Sequence, residues 1–158
     1  MESPLPTPGI FRHLLVAVDG SDNAIRAART AGRLAQSFGS RLTLLSVYRH
    51  ISYTNRRYTQ IRVGPFDTAS PVELSLRAIA EESLADTAAL LDDYRLGRVE
   101  QLVRRGSAAA TILKCARDLH VDTIILGCRG LGEIEGLLLG SVSHKVNALA
   151  HCTCITVR

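Results

Sequence analysis

A doubly wound α/β domain, built on one open five-stranded parallel sheet, is the fold that this sequence predicts. Short apolar runs alternate along the chain with longer segments in which apolar residues recur at helical spacing. The chain has 158 residues, of which 46% are hydrophobic and only 4% aromatic, so the core must be built from Val, Ile, Leu and Ala. Aliphatic strands that are covered by helices on both faces are typical of parallel sheets.

Five short runs have the composition of buried strands and end at turn residues or at glycine. The third is more polar than the others, so we expect it near a sheet edge. The predicted strands are His13–Val18, Leu42–Val47, Val99–Arg105, Asp122–Gly127 and Cys152–Val157.

Four amphipathic segments separate these runs. The first is expected to end at Gly39, and the second has Pro71 in its first turn, where proline is favoured. The segment from Arg49 to Ser70 has no clear period and is predicted to be an irregular connection. The predicted helices are Ala24–Phe38, Pro71–Tyr94, Ser107–Leu119 and Ser141–Ala150. The resulting βαβαβαβαβ order implies right-handed crossovers in a parallel sheet.

The formal charge of +4 is a mild excess, and the arginines are scattered rather than gathered in a basic stripe. This pattern argues against a dedicated nucleic-acid-binding protein. One local cluster interleaves arginines and tyrosines, and we interpret it as a solvated loop, with a ligand or partner surface as the alternative. Its members are Tyr48, Arg49, Tyr53, Arg56, Arg57, Tyr58 and Arg62.

Residues 1–10 are predicted to be a flexible leader and residues 11–158 a single domain. The leader carries Pro4, Pro6 and Pro8 but neither the basic region nor the apolar core of a signal peptide. No run approaches the length needed to span a bilayer, so neither membrane insertion nor a membrane partner is predicted and the cytoplasm is the expected compartment.

The chain has four cysteines, and no pair of them has the Cys-x-x-Cys spacing of a redox or zinc site. Cys152 and Cys154 would share one face of a strand, which is compatible with a metal or a disulfide, but buried thiols are the simpler interpretation. Cys128 has two interpretations, a redox-sensitive thiol or an ordinary loop cysteine, and we favour the second. The remaining cysteine is Cys115.

The clearest chemical signal is the glycine-rich segment from Gly127 to Ser143. Gly127 and Gly130 can take positive φ angles and let the backbone approach a ligand closely. Gly140 and Ser141 would open a helix whose free N–H groups and dipole suit a phosphate. Ser141 would also serve as a helix N-cap in a protein that binds nothing.

Two common phosphate-binding patterns do not fit this segment. The chain has no Gly-Lys-Ser/Thr triplet of the Walker A type. The pair Gly130 and Gly132 is followed by Glu135 where a dinucleotide-binding fingerprint requires a third glycine. The pattern that is present is Gly-x-x-Gly from Gly127 to Gly130, then nine residues, then the Gly-Ser pair at 140 and 141.

This spaced motif resembles the ATP-binding branch of the universal stress protein family. The strand-one sequence Leu15-Val-Ala-Val-Asp19-Gly-Ser21 and the run from Gly136 to Ser143 resemble that family too, and the similarity covers His13 to Arg158. It implies a Rossmann-like sheet of the adenine nucleotide alpha hydrolase type, with strand order 3-2-1-4-5. Strand order then reverses between strands one and four, which end at Asp19 and Gly127, and ligands of open α/β sheets bind at such a reversal.

The resemblance also implies a set of ligand contacts. Asp19 and the backbone around Ala17 and Val18 would contact the nucleoside, and the backbone near Val47 would meet the adenine. The phosphates would be held by Gly127, Gly130, Gly140, Ser141, Val142 and Ser143. The resemblance implies Mg²⁺ bound with ATP, but no residue is predicted as a metal ligand, and Glu133 and Glu135 are expected to face solvent. Without the resemblance, Asp19 has a second interpretation as a turn or cap residue.

The expected function is that of an ATP-binding sensor or regulator in the stress response, whose nucleotide state alters dimer or partner contacts. One alternative is a slow ATPase or autophosphorylating enzyme that uses Ser141, Ser143, His144 or Lys145, although no assembled catalytic set is evident. Another is an interaction domain that has kept the fold without the ligand. We also expect a homodimer joined along Cys152–Val157, because this last strand would form an uncovered sheet edge and because the family resemblance implies it.

Overall fold

A computed structural model describes residues 11–49, 71–131 and 140–158. The predicted leader, most of the Arg- and Tyr-rich cluster and both loop glutamates lie outside these ranges. The strands are β1 (His13–Ala17), β2 (Arg41–Tyr48), β3 (Val99–Arg105), β4 (Thr123–Gly127) and β5 (Thr153–Val157). The helices are α1 (Asp22–Phe38), α2 (Pro71–Ala89), α3 (Ala108–Asp118) and α4 (Ser141–Leu149).

The strands form one sheet in the order β3-β2-β1-β4-β5, which confirms the predicted order. Every pairing is parallel, so all the strand carboxyl ends meet along one edge of the sheet. β1 lies at the centre between β2 and β4, and strand order reverses there. The more polar β3 is an edge of the described sheet, as its composition predicted.

The two faces of the sheet carry different helices. Leu14 and Val16 of β1 pack in the core beneath α1 and α2, whereas Leu15 packs in the core beneath α3 and α4. The face of α1 that meets the sheet is rich in alanine, including the fully buried Ala27 and Ala31, so this helix lies close to the strands. Both faces are therefore covered, as the aliphatic composition indicated.

The ends of α1 follow from local chemistry. Ser21 is the N-cap, and its side-chain oxygen accepts a hydrogen bond from the Ala24 N–H at 3.2 Å. Gly39 ends the helix in the left-handed conformation, with φ of 65°, as predicted.

The predicted second helix is too long, because α2 ends at Ala89 and not at Tyr94. A short 3₁₀ turn at Asp92–Tyr94 follows it, and Arg95 then adopts a positive φ of 49°. The turn places Leu91, which is 1% exposed, in the core beside α1. Gly32 of α1 leaves space for this turn, because a Cβ at Gly32 would lie 2.8 Å from the Tyr94 ring. Tertiary packing of Leu91 thus ends α2, although the helical spacing of apolar residues continues past Ala89.

Candidate functional site

Asp19 joins the two loops that leave the sheet at the reversal of strand order. Its Oδ1 accepts hydrogen bonds from the N–H and the hydroxyl of Ser21, at 3.0 and 2.6 Å. Its Oδ2 accepts from the Leu131 N–H at 3.0 Å, across 112 positions of sequence. The β1 signature and the glycine-rich loop therefore meet at one carboxylate, as the predicted convergence required.

Gly127 and Gly130 do not use the positive φ angles that glycine allows. Among the described glycines only Gly20, Gly39 and Gly106 do. What the structure requires at the two motif positions is the absence of a side chain. A Cβ on Gly127 would lie 2.7 Å from the Cβ of Asn23, and one on Gly130 would lie 2.5 Å from Oδ2 of Asp19. The motif is thus explained by close approach rather than by backbone freedom.

Hydrogen bonds to the Cys128 carbonyl tie the start of the glycine-rich loop to the start of α4. This oxygen accepts from the Gly140 N–H at 2.7 Å and from the Ser143 hydroxyl at 2.8 Å. Ser143 is only 2% exposed, so its hydroxyl links residue 128 to the first turn of α4 instead of reaching into solvent. Cys128 is itself 3% exposed, which favours the interpretation as an ordinary cysteine.

The first turn of α4 differs in one detail from the prediction. Gly140, not Ser141, is the N-cap, and no side chain makes a capping hydrogen bond there. A glycine cap leaves the N-terminal amides of the helix to other partners, because it has no side-chain oxygen to offer them. The positive end of the helix dipole lies at the same place.

A cavity of about 270 Å³ opens at this point, and we call it the switch-point cavity. All ten residues that the sequence predicted for the site line it. They are Ala17, Val18, Asp19, Val47, Gly127, Gly130, Gly140, Ser141, Val142 and Ser143. The prediction drew them from four separate segments of the chain, and the fold brings them together around one space.

The structure adds residues that sequence reasoning missed. Its wall includes the apolar side chains of Leu45, Ile112 and Leu126. These positions have the pattern of core residues, and nothing local shows that a cavity reaches them. Arg49 and Arg129 also line the cavity. The sequence offered one signal for each of these arginines. Arg129 lies within the Gly-x-x-Gly motif, and Arg49 belongs to the Arg- and Tyr-rich cluster.

The composition of the lining favours an anion joined to an apolar group. The described lining residues include two arginines and one carboxylate, and that carboxylate already accepts three hydrogen bonds. The apolar side chains can bury a ring, while the arginines and the first turn of α4 can bind phosphate. No group of three or more metal-ligating side chains occurs within the described ranges.

The four residues named for the enzymatic alternative do not lie together in the cavity. Ser143 uses its hydroxyl within the loop, and His144 is exposed and absent from the described lining of the cavity. Ser141 lines the cavity, and Lys145 lines a neighbouring groove. Asp19 is the one carboxylate among the described lining residues, and its oxygens are engaged as above.

All four cysteines are free, so Cys152 and Cys154 do not form a disulfide. Burial raises the pKa of the Cys115, Cys152 and Cys154 thiols above their ordinary value. A raised pKa keeps these thiols protonated and weakly nucleophilic near neutral pH. No described helix is both long and apolar enough to cross a membrane.

The sequence profile of the universal stress protein family matches residues 10–158. This chain belongs to the universal stress protein family. A universal stress protein of Thermus aquaticus is 35% identical over 150 residues, which cover 94% of this chain and 100% of the relative.

Solved structures share the fold. The universal stress protein UspA from Lactobacillus plantarum has a TM-score of 0.78 at 22% identity, covering 95% of this chain and 99% of its own. A universal stress protein in complex with cAMP has a TM-score of 0.68 at 21% identity, covering 95% and 98%. One from Archaeoglobus fulgidus in complex with dAMP has a TM-score of 0.61 at 22% identity, covering 95% and 100%.

Proposed function

We propose that this universal stress protein binds ATP in the switch-point cavity and acts as a nucleotide-dependent sensor in the stress response. One observation carries the proposal: the ten predicted residues, from four separate segments, line one cavity whose wall also holds three apolar core residues and two arginines. Structural relatives in complex with cAMP and dAMP support an adenine nucleotide as the ligand class.

In the proposed complex the adenine packs against the apolar lining residues Leu45, Val47 and Ile112. Asp19 and the backbone of Ala17 and Val18 contact the nucleoside. The phosphates lie between the Gly127–Gly130 turn and residues 140–143, where the α4 dipole and Arg129 favour negative charge. Mg²⁺ would enter with ATP and neutralise the phosphate chain, and we assign it no protein ligand.

Backbone hydrogen bonds offer a route from the nucleotide to the edge of the sheet. The Cys128 N–H, between the two motif glycines, donates to the Val157 carbonyl of β5 at 2.7 Å. A ligand that fixes the loop therefore also fixes the last residues of β5. We propose that β5 is the homodimer contact, so that nucleotide state and dimer contacts are linked.

The register of β5 shows which groups would make that contact. Thr153 donates its N–H to Asp122 and Val157 accepts from Cys128, so residues 153, 155 and 157 bond to β4. Strand alternation then turns the backbone groups of Cys154 and Thr156 toward the outer edge, where no other described strand pairs with them. A second copy of β5 could satisfy these groups about a twofold axis.

The compartment that we propose is the cytoplasm. The four free cysteines agree with a reducing environment.

The decisive experiment is to denature freshly purified protein and identify any nucleotide that it releases. ATP near one equivalent per chain supports the proposal. If none is released, the nucleotide-free protein is melted with and without millimolar ATP and Mg²⁺. At a hundredfold excess over Kd, binding adds about 2.7 kcal/mol. For a domain of this size the melting temperature should then rise by about 5–10 °C.

Two variants that each remove one arginine distinguish ATP binding in the cavity from a general effect of charge. Arg129→Gln removes a cation from the cavity wall, whereas Arg33→Gln removes one from the exposed face of α1. The first should lower the ATP-induced shift and the second should leave it unchanged. An unchanged melting curve for the nucleotide-free wild type would overturn the proposal and favour the interaction-domain alternative. Conversion of bound ATP to ADP during incubation would favour the slow ATPase.

A further inference from the structure

A second cavity of about 400 Å³ adjoins the switch-point cavity, and we call it the basic groove. The two share Arg49, Ala108, Ser141 and Val142. The glycines of the phosphate motif and Asp19 line the switch-point cavity and are not among the described residues of the groove. The groove therefore adjoins the switch-point cavity at the starts of α3 and α4 and is not lined by the described motif glycines. Its described lining is Arg49, Gly106, Ser107, Ala108, Ala109, Ser141, Val142 and Lys145.

The described lining of the groove carries two positive charges and no carboxylate. Arg49 and Lys145 are both exposed, and neither forms an ion pair with an acidic residue in the described ranges. The exposed Lys114 of α3, by contrast, is paired with Asp118 one turn along its helix. Cations left without partners around a concave space favour an anionic ligand.

The sequence brings these cations together from distant positions. Arg49 directly follows β2, and Lys145 lies one turn into α4. The α3 and α4 helices both begin at the groove, and the α3 N-cap, Ser107, makes no side-chain capping bond. The positive ends of two helix dipoles thus add to the two side-chain charges.

We propose that the basic groove binds a second phosphoryl group, distinct from the 5′-phosphate chain of the nucleotide. The proposal rests on the proposed nucleotide function, because the groove opens from the wall of that cavity. Gly127, Gly130 and Gly140, which hold the proposed 5′-phosphate chain, do not line the groove, so the phosphoryl group in the groove is borne by the ribose 2′ or 3′ oxygen or by a separate molecule. Lys145 is the specificity residue, since it lines the groove and not the described switch-point cavity.

Calorimetric titrations with AMP, adenosine 2′,5′-bisphosphate and adenosine 3′,5′-bisphosphate test the proposal. A ribose phosphate that reaches both cations should bind about tenfold more tightly than AMP, since charge-assisted hydrogen bonds to phosphate are strong. Lys145→Gln should abolish most of this preference and leave AMP affinity within about twofold. Lys145→Arg should keep the preference because it keeps the charge. Lys114→Gln, which removes the same charge from α3 outside the groove, should behave as wild type.

The two sources of the phosphoryl group give different results. If neither bisphosphate is preferred, inorganic phosphate is added at constant ionic strength. A melting temperature that rises in wild type but not in Lys145→Gln assigns the groove to a separate phosphate-bearing molecule. If neither the bisphosphates nor inorganic phosphate distinguishes wild type from Lys145→Gln, the proposal is overturned. Failure of AMP and ATP to bind overturns the proposed function instead. The melting experiment with inorganic phosphate then still tests whether the groove binds a phosphoryl group.

Discussion

Gly127 closes the contact between the end of β4 and the first turn of α1, and alanine at this position should destabilise the fold even without nucleotide. The added Cβ would lie 2.7 Å from the Cβ of Asn23, 2.8 Å from its backbone carbon and 3.0 Å from the backbone nitrogen of Ala24. Two of these atoms belong to the backbone and cannot rotate away. The start of α1 must therefore move.

That movement would disturb interactions already formed at the same turn. Ala24 is 3% exposed, and its N–H is the one that Ser21 caps. Overpacking of this kind costs about 1–3 kcal/mol. In a domain of this size each kcal/mol lowers the melting temperature by about 2–4 °C, so we expect a loss of about 2–12 °C.

The assay is urea and thermal unfolding of nucleotide-free protein, because lost binding would otherwise add to the apparent loss of stability. Gly97→Ala is the matched control. Nothing lies within 4 Å of the Cβ position there, and φ is not in the left-handed region. This control should be neutral or up to about 1 kcal/mol more stable than wild type. A Gly127→Ala protein within about 0.5 kcal/mol of wild type would refute the close-approach explanation.

Three further outcomes follow from the same geometry. In Gly130→Ala the new Cβ meets Oδ2 of Asp19, a side-chain atom that can rotate, so stability should fall by less than about 1 kcal/mol while ATP affinity falls about tenfold by calorimetry. An unchanged ATP affinity in Gly130→Ala would contradict the proposed contact between Asp19 and the nucleoside. Thr156→Pro removes an outward N–H and should shift light scattering toward monomer, whereas a dimer that persists would place the interface elsewhere. Burial and then the Arg41 charge lower the pKa of His13 from 6.5, so the fold favours neutral imidazole and loses stability as pH falls below about 6.5. The free energy of unfolding should fall less between pH 7.5 and 5.5 in His13→Gln, and an equal fall in both proteins would exclude His13 as the cause.

The strands and helices could be predicted from sequence because their signals are local, whereas the strand order 3-2-1-4-5 was implied by the family resemblance. Each strand is a short apolar run and each helix a segment of matching period, and Gly39 marks an end by its own conformational preference. The glycine-rich part of the candidate site could be recognised because the Gly-x-x-Gly, nine-residue and Gly-Ser spacing is itself a sequence pattern. The contacts of Ala17, Val18, Asp19 and Val47 were implied by the family resemblance. Their meeting around one cavity also follows from sequence, once parallel strands are known to end at one edge.

Only the tertiary structure decided what depends on residues far apart in the chain. Gly127 must be glycine because Asn23 lies above it, and Asp19 accepts from the Leu131 N–H, so neither local sequence contains the reason. The end of α2 was set by burial of Leu91, which overrode a helical period that continued past it. Leu45 has the pattern of any core leucine until the fold places an opening beside it. Periodicity reports which face of an element is buried, but close approach, cavities and shared hydrogen bonds depend on how elements pack in three dimensions.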